Sequence, residues 1–346
     1  MRILVTGGTG FVGCHSVKAL VDAGHDVRLL VRSRERIAPA LGPLGFGELD
    51  HVLGDVTDPG AVVRAMEGCD AVLHAANVYK LDSRAAKEML DVNPRGTEIV
   101  LRAARERGLD PIVHVSTCAA LVPTDRARLE PGGPLGSPPG AYSRSKVEAE
   151  RIARRMQADG APVVITWPGG VLGPHDPRGS DFVLTATDVI RGLIPMRPSG
   201  ATPAVDVRDV AAVHAAVFEL GRGPRGYIAA AELLTLADMV AVARRVTGRR
   251  IPGVPIPGAI GVGAGRAADV VQRVLPMRLP INSEGPWLMV HGKPPDPSST
   301  IAELRVSFRP VADSLADTYR WLWQAGRITR RQAGRLAAEP AAVATN

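Results

Sequence analysis

Short apolar runs recur through the first half of the chain, and most are followed by a stretch whose apolar residues fall at helical spacing. RILV (2–5), DVRLLV (26–31), DHVLGD (50–55), DAVLHAA (70–76), PIVHVST (111–117) and PVVITW (162–167) read as strands. Between the first two, Val17, Leu20 and Val21 share one face of a helix over 12–24 that Gly24 stops. Further helical segments cover 59–67, roughly 84–107 and 141–159. This alternation predicts an α/β chain with a doubly wound parallel sheet, a Rossmann fold, which binds ligands beyond the carboxyl ends of its strands.

After residue 168 the pattern loosens. A proline- and glycine-rich segment (168–179) precedes a strand and helix over 204–220 and an amphipathic helix over 236–248 that ends on a glycine. The expected organisation is a dinucleotide-binding domain over 1–174 and a smaller substrate-binding lobe over 175–330, interwoven with the sheet. The tail 337–346 has nothing to bury and is expected to be disordered.

Composition narrows the setting. The chain has 346 residues, 45% hydrophobic and 22% charged, enough apolar material for a sizeable core. No charged leader with an apolar stretch opens it, so no signal peptide is expected. The apolar segment 251–265 is broken by prolines and glycines and falls short of the ~20 residues of a membrane span. It is expected to be a loop and helix in a core. Cys14, Cys69 and Cys118 are odd in number and lack metal-site spacing, which fits a reducing cytoplasm. The net charge is +7, but the arginines are spread out, and the densest run, 327–335, reads as a solvated helix face. Nucleic acid is therefore not an expected partner.

Chemistry gathers where the strands end. TGGTGFVG (6–13) directly follows the first strand and opens the first helix. Gly7, Gly10 and Gly13 permit a tight turn, approach of a pyrophosphate to the backbone, and close helix packing; Thr9, Phe11 and Val12 lie between them. The helix N-terminus then presents free N–H groups to the anion. At the end of the second strand an acidic residue would select NAD, but this chain has Arg32, followed by Arg34 and Arg36, which favours NADP(H) over NAD(H). Asp55 and Val56 suit the adenine, and Ala75 and Ala76 are small enough for the cofactor to pass.

In AYSRSK (141–146), Tyr142 and Lys146 lie at i and i+4 on one helix face. Only five of the 42 basic residues are lysines, so this one stands out. A nearby ammonium favours a phenolate, and Ser116 and Thr117 supply hydroxyls for a carbonyl oxygen.

These motifs together resemble the extended branch of the short-chain dehydrogenase/reductases, the NAD-dependent epimerase/dehydratase proteins. HAA (74–76), VNPRGT (92–97), VSTCAA (115–120), WPGGVLGP (167–174) and DVRDVA (206–211) follow in the order of that branch. VRLLVR, RVSFRP (305–310) and WLW (321–323) look most like the dihydroflavonol reductase and 3β-hydroxysteroid dehydrogenase type. The resemblance implies that Tyr142 transfers the proton, while Lys146 binds the nicotinamide ribose and lowers the tyrosine pKa. Thr117 stands where the usual serine does, with Ser116 as the lesser candidate. Pro168, Val171 and Asn93 would lie near the nicotinamide, although Pro94 departs from the pattern.

The expected reaction is hydride transfer between nicotinamide and a carbonyl or secondary alcohol of a small hydrophobic molecule. Phe182, Leu184, Leu193, Met196, Met277, Trp287 and Leu288 are candidate walls of its pocket. A homodimer through the helices at about 84–107 and 141–159 is the habit of the branch. One alternative is a nucleotide-sugar epimerase or dehydratase with tightly bound NAD, to which Arg178, Arg191 and Arg197 could offer diphosphate contacts. Another is a non-catalytic dinucleotide sensor.

Overall fold

The structure, a computed structural model, describes residues 1–79, 85–274 and 282–338. The first half runs β1 (Arg2–Thr6), α1 (Phe11–Asp22), β2 (Asp26–Val31), α2 (Ile37–Leu41), β3 (Asp50–Leu53), α3 (Pro59–Ala65), β4 (Ala71–His74), α4 (Ala86–Glu106), β5 (Ile112–Val115), α5 (Ala141–Ala158) and β6 (Val163–Pro168). The second half adds β7 (Gly170–Leu172), α6 (Asp181–Arg191), β8 (Met196–Pro198), β9 (Thr202–Asp206), α7 (Val207–Ala216), β10 (Arg225–Ala229), β11 (Glu232–Leu234) and α8 (Leu236–Thr247). It closes with β12 (Val254–Ile256), α9 (Gly258–Val274), α10 (Glu284–His291), α11 (Ser298–Leu304), α12 (Val311–Gln324) and α13 (Arg330–Ala333).

Seven strands form one sheet in the order β10-β6-β5-β4-β1-β2-β3, and every neighbouring pair is parallel. The order reverses between β1 and β4, which places a crevice at their carboxyl ends. Period-two alternation sorts the strand side chains into two layers. Leu4, Val72, Ile112 and Ile165 pack with α3, α4 and α5 residues such as Val62, Leu101 and Ala153. Ile3, Val5, Leu73 and Val113 pack on the other face with Val17 and Leu20 of α1 and Val210 and Val213 of α7. The doubly wound sheet expected from the apolar runs is therefore present.

The strands stop sooner than the apolar runs do. The ladders of β3, β4 and β5 end at Leu53, His74 and Val115, with one further bond each from the amides of Gly54, Ala75 and Ser116. Beyond these bonds the chain leaves the sheet, which frees Asp55, Ala76 and Thr117 to edge the crevice.

The later elements cross between layers. β10 adds to the main sheet beside β6, and α7 packs beside α1. β7, β9 and β11 make a second small sheet, and β8 pairs with β12. A third core joins α6, α8 and α12 through Ile190, Met239, Leu315 and Tyr319, and the Tyr319 hydroxyl donates to the Met239 carbonyl at 3.1 Å.

Segment 251–265 departs from its expected place in a core. The buried side of α9 is Gly258, Gly261, Gly265 and Ala268, with Gln272 beyond them, and Ile260 and Val270 are 55% and 58% exposed. Its glycines let the helix backbone approach Pro198 and Asn282, so small residues make the contact and large ones face out. In the basic run 327–335, Arg330 and Arg331 are exposed, but Arg327 donates to the Asp176 carbonyl and stacks on Trp321. Of the tail, Ala337 and Ala338 belong to a last helical turn, and 339–346 lie outside the described residues.

Leu73 is fully buried near the centre of the sheet. Leu73→Ala is expected to lower the unfolding free energy by about 2–5 kcal/mol in urea titration, and a loss below about 1 kcal/mol would contradict this placement.

Candidate active site

The crevice opens into a cavity of about 740 Å³. At one end lies the glycine turn. Gly7 has φ +75, and a β-carbon there would sit 2.6 Å from the Ala76 nitrogen, while one on Gly13 would overlap the Gly7 carbonyl. Only glycine lets β1, α1 and the end of β4 come this close. Gly10 begins α1 without a side-chain cap. The first-turn amides of Phe11, Val12 and Gly13 therefore have no intrahelical acceptor and suit an anion. The backbone thus forms a cradle that fits a dinucleotide pyrophosphate.

Beside it the three arginines after β2 separate. Arg34 pairs with Glu48, whereas Arg32 and Arg36 line the cavity. Arg178, from the segment before α6, joins them and donates to the Thr9 hydroxyl at 3.0 Å. Burial first, then the like charges of Arg36 and Arg32, hold the Arg178 pKa below its ordinary value. Arg32 also lies 3.9 Å from Asp55. The Asp55 carboxylate accepts from the amide and hydroxyl of Thr57 at 2.9 and 2.7 Å, and Val56 packs where a side chain on Gly96 would collide.

At the other end, α5 presents Tyr142, whose ring meets Tyr79 edge-on at 4.4 Å. One turn on, Lys146 is only 3% exposed and donates to the Val115 carbonyl at 2.6 Å. Burial lowers its pKa to about 8, opposed by Glu150. Burial and then Glu284 push the Tyr142 phenol above its ordinary value. Both act in the direction opposite to the lowering that the resemblance implies for the cofactor-bound enzyme. His74 and His114 stack at 5.9 Å, and burial, then Lys146, keeps both neutral at working pH.

The two adjacent hydroxyls part company. Ser116 is buried and donates to Glu150 at 2.5 Å, whereas Thr117 lines the cavity. The Thr117 oxygen accepts from the Ala119 amide at 3.2 Å, leaving its own proton free to donate. Glu150 also accepts from Trp167 and Arg154. Asn93 exchanges hydrogen bonds with the Val78 backbone and donates to Ser145 on α5 at 2.9 Å.

Gly7, Thr9, Gly10, Phe11, Val12, Gly13, Arg32, Asp55, Val56, Ala75, Ala76, Asn93, Thr117, Tyr142 and Val171 share the one cavity. Lys146 and Pro168 are buried and do not line it; Gly169 and Gly170 reach the wall next to Pro168 instead. Among the proposed substrate walls, Phe182, Leu193, Met196 and Leu288 line the cavity, and Leu184 and Trp287 do not. Met277 lies outside the described residues. Arg191 instead donates to the Arg327 carbonyl. Sequence reasoning missed Glu284 altogether and gave Arg178 only to the alternative reading. Neither has a local signal, since each arrives from a distant segment.

A parallel sheet with a glycine cradle, an arginine cluster beside it and a tyrosine on the facing helix fits a dinucleotide-dependent oxidoreductase. The NAD dependent epimerase/dehydratase family profile matches residues 3–229, and the chain belongs to this family, as an NAD(P)-dependent oxidoreductase of the extended short-chain dehydrogenase/reductase type. It is 29% identical over 334 residues to a putative dihydroflavonol 4-reductase of Synechocystis sp., covering 94% of this chain and 95% of that one. It is 30% identical over 333 residues to sterol demethylase protein B of Methylococcus capsulatus, covering 95% and 100%. The fold matches the crystal structure of gox2253 at a TM-score of 0.77 and 26% identity, over 95% of this chain and 99% of that one. The UDP-glucose 4-epimerase from Bifidobacterium longum, solved with NAD+ and UDP, shares the fold at a TM-score of 0.74 and 18% identity, over 94% and 99%. Among the described residues no helix is long and apolar enough to cross a membrane, and no group of metal-ligating side chains gathers.

Glu150 is wholly buried and serves three donors. Glu150→Ala is expected to cost about 3–5 kcal/mol of stability in chemical denaturation, and a loss under about 1 kcal/mol would contradict the network.

Proposed function

We propose that the chain is a cytoplasmic, NADP(H)-dependent enzyme that interconverts a carbonyl and a secondary alcohol on a small hydrophobic molecule. The observation that carries this reading is the meeting of the glycine cradle, three guanidiniums, Thr117 and Tyr142 in one cavity. Bound NADP(H) would supply or accept hydride at the nicotinamide. The cradle amides would hold its pyrophosphate, and Arg32, Arg36 and Arg178 would hold the ribose 2′-phosphate, for which planar guanidiniums are suited.

At the reacting end, Thr117 donates to the substrate oxygen and keeps it within reach of Tyr142. Tyr142 gives that oxygen a proton as the alkoxide develops, and takes one back in oxidation. The resemblance gives Lys146 the ribose hydroxyls; its ammonium sits on the Val115 carbonyl behind the cavity wall and would have to turn into the cavity to serve them. The apolar walls Phe182, Leu193, Met196 and Leu288 favour a hydrophobic substrate. The full-length relatives, a dihydroflavonol 4-reductase and a sterol demethylase protein by name, point the same way. The arginine cluster weighs against a nucleotide-sugar epimerase that retains NAD.

Tyr142→Phe is expected to lower turnover by at least about 100-fold on a panel of hydrophobic ketones with NADPH, because it removes the general acid. Turnover close to that of the native protein would contradict the assignment. Arg36→Ala combined with Arg178→Ala is expected to weaken NADPH binding by about 10- to 100-fold while NADH binding stays nearly constant, since charged hydrogen bonds to one phosphate are lost. Calorimetry with both nucleotides measures this, and equal losses for the two would contradict the 2′-phosphate site.

A further inference from the structure

Glu284 is the first residue of α10 and belongs to the lobe, yet its carboxylate lies against the start of α5. It accepts from the Ser143 amide at 2.8 Å and from the Ser143 hydroxyl at 2.5 Å. The N-cap residue before α5 is Gly140, which has no side chain to cap the helix. A methyl group on Gly140 would overlap the Glu284 carboxyl. The lobe thus supplies the cap that the helix lacks, an anion at the positive end of its dipole. Glu284 and Tyr142 line the same cavity.

The titratable and charged groups around this point stand on α5 and α9. Tyr142 and Lys146 stand on α5, with Arg144 exposed beside them. On α9, Asp269 is held by the amide and hydroxyl of Ser283. The uncharged ring of Tyr79 closes the remaining side. Burial holds the Glu284 pKa above its ordinary value, and the hydrogen bonds from the Ser143 hydroxyl and amide oppose that by favouring the carboxylate.

We propose that Glu284 is a positioning residue for proton transfer: it latches the lobe to the start of α5 and places a carboxylate at the N-terminus of the helix that carries Tyr142. This rests on the reading of Tyr142 as the proton-transfer group. A carboxylate at that point disfavours a second negative charge on the phenol, so removing it is expected to ease ionisation; burial first, and then Glu284, hold the Tyr142 phenol above its ordinary value.

The test is a tyrosinate absorbance titration of the full-length protein saturated with NADP+. The chain has four tyrosines, and the transition that Tyr142→Phe removes belongs to Tyr142. Glu284→Gln keeps the side-chain length and an acceptor for Ser143 but drops the charge. It is expected to move that transition down by about one pH unit. Gly140→Ala retains every polar group but displaces the carboxyl, and should move it in the same direction. A transition that stays in place in both variants, or that appears in none of the proteins, overturns the proposal. If Tyr142→Phe turns over ketones as the native protein does, the proton-transfer reading itself fails. If that variant is inactive and the transition stays unmoved, only the role of Glu284 falls.

Discussion

The constraint on which the site depends is a positive charge held where water does not reach. Lys146 lies inside the junction of β5 and α5, where an ammionium without partners would be prohibitively costly. The Val115 carbonyl at the end of β5 supplies the direct acceptor. Glu150, one turn along the same helix, supplies the countercharge and is itself satisfied by Ser116, Trp167 and Arg154. His74 and His114 stay neutral close by. Strand end and helix are therefore fixed together, and Tyr142 stands one turn before Lys146 on that helix. A guanidinium is bulkier and planar and would not fit the same point contact.

The two ends of the cavity are built differently. The pyrophosphate end is backbone, and its geometry needs the absence of side chains at Gly7 and Gly13. The proposed substrate end is made of side chains from the second half of the chain, which leaves the sheet after β6, returns through α7 and β10, and leaves again. Glu284 and Arg178 come from this second half and touch the first at its two working points, the start of α5 and the glycine turn.

Much of the fold was legible because its signals are local. Continuous apolar runs marked the strands, and glycine spacing marked the cradle. Where the strands would end was less legible, since residues such as Ala76 and Thr117 look like strand but lose their partners at the crevice. The choice between Ser116 and Thr117 could not be read from two adjacent hydroxyls. The structure shows only their surroundings: Glu150, from another element, holds Ser116, and Thr117 lines the cavity. In the same way Arg34 looked equal to Arg32 and Arg36 until Glu48 was seen to pair with it. The outward apolar face of α9 was hidden because glycines, not large residues, make its contact.

The central claim is net hydride exchange between NADP(H) and a carbonyl carbon. Its most direct test is to incubate the protein with NADPH carrying deuterium at the nicotinamide C4 and a hydrophobic ketone, then analyse the product by mass spectrometry. The account predicts an alcohol with deuterium on the carbinol carbon and release of NADP+ in equal amount. Failure of deuterium to reach any product across a broad ketone panel, with dinucleotide staying bound while a nucleotide sugar is turned over, would contradict it.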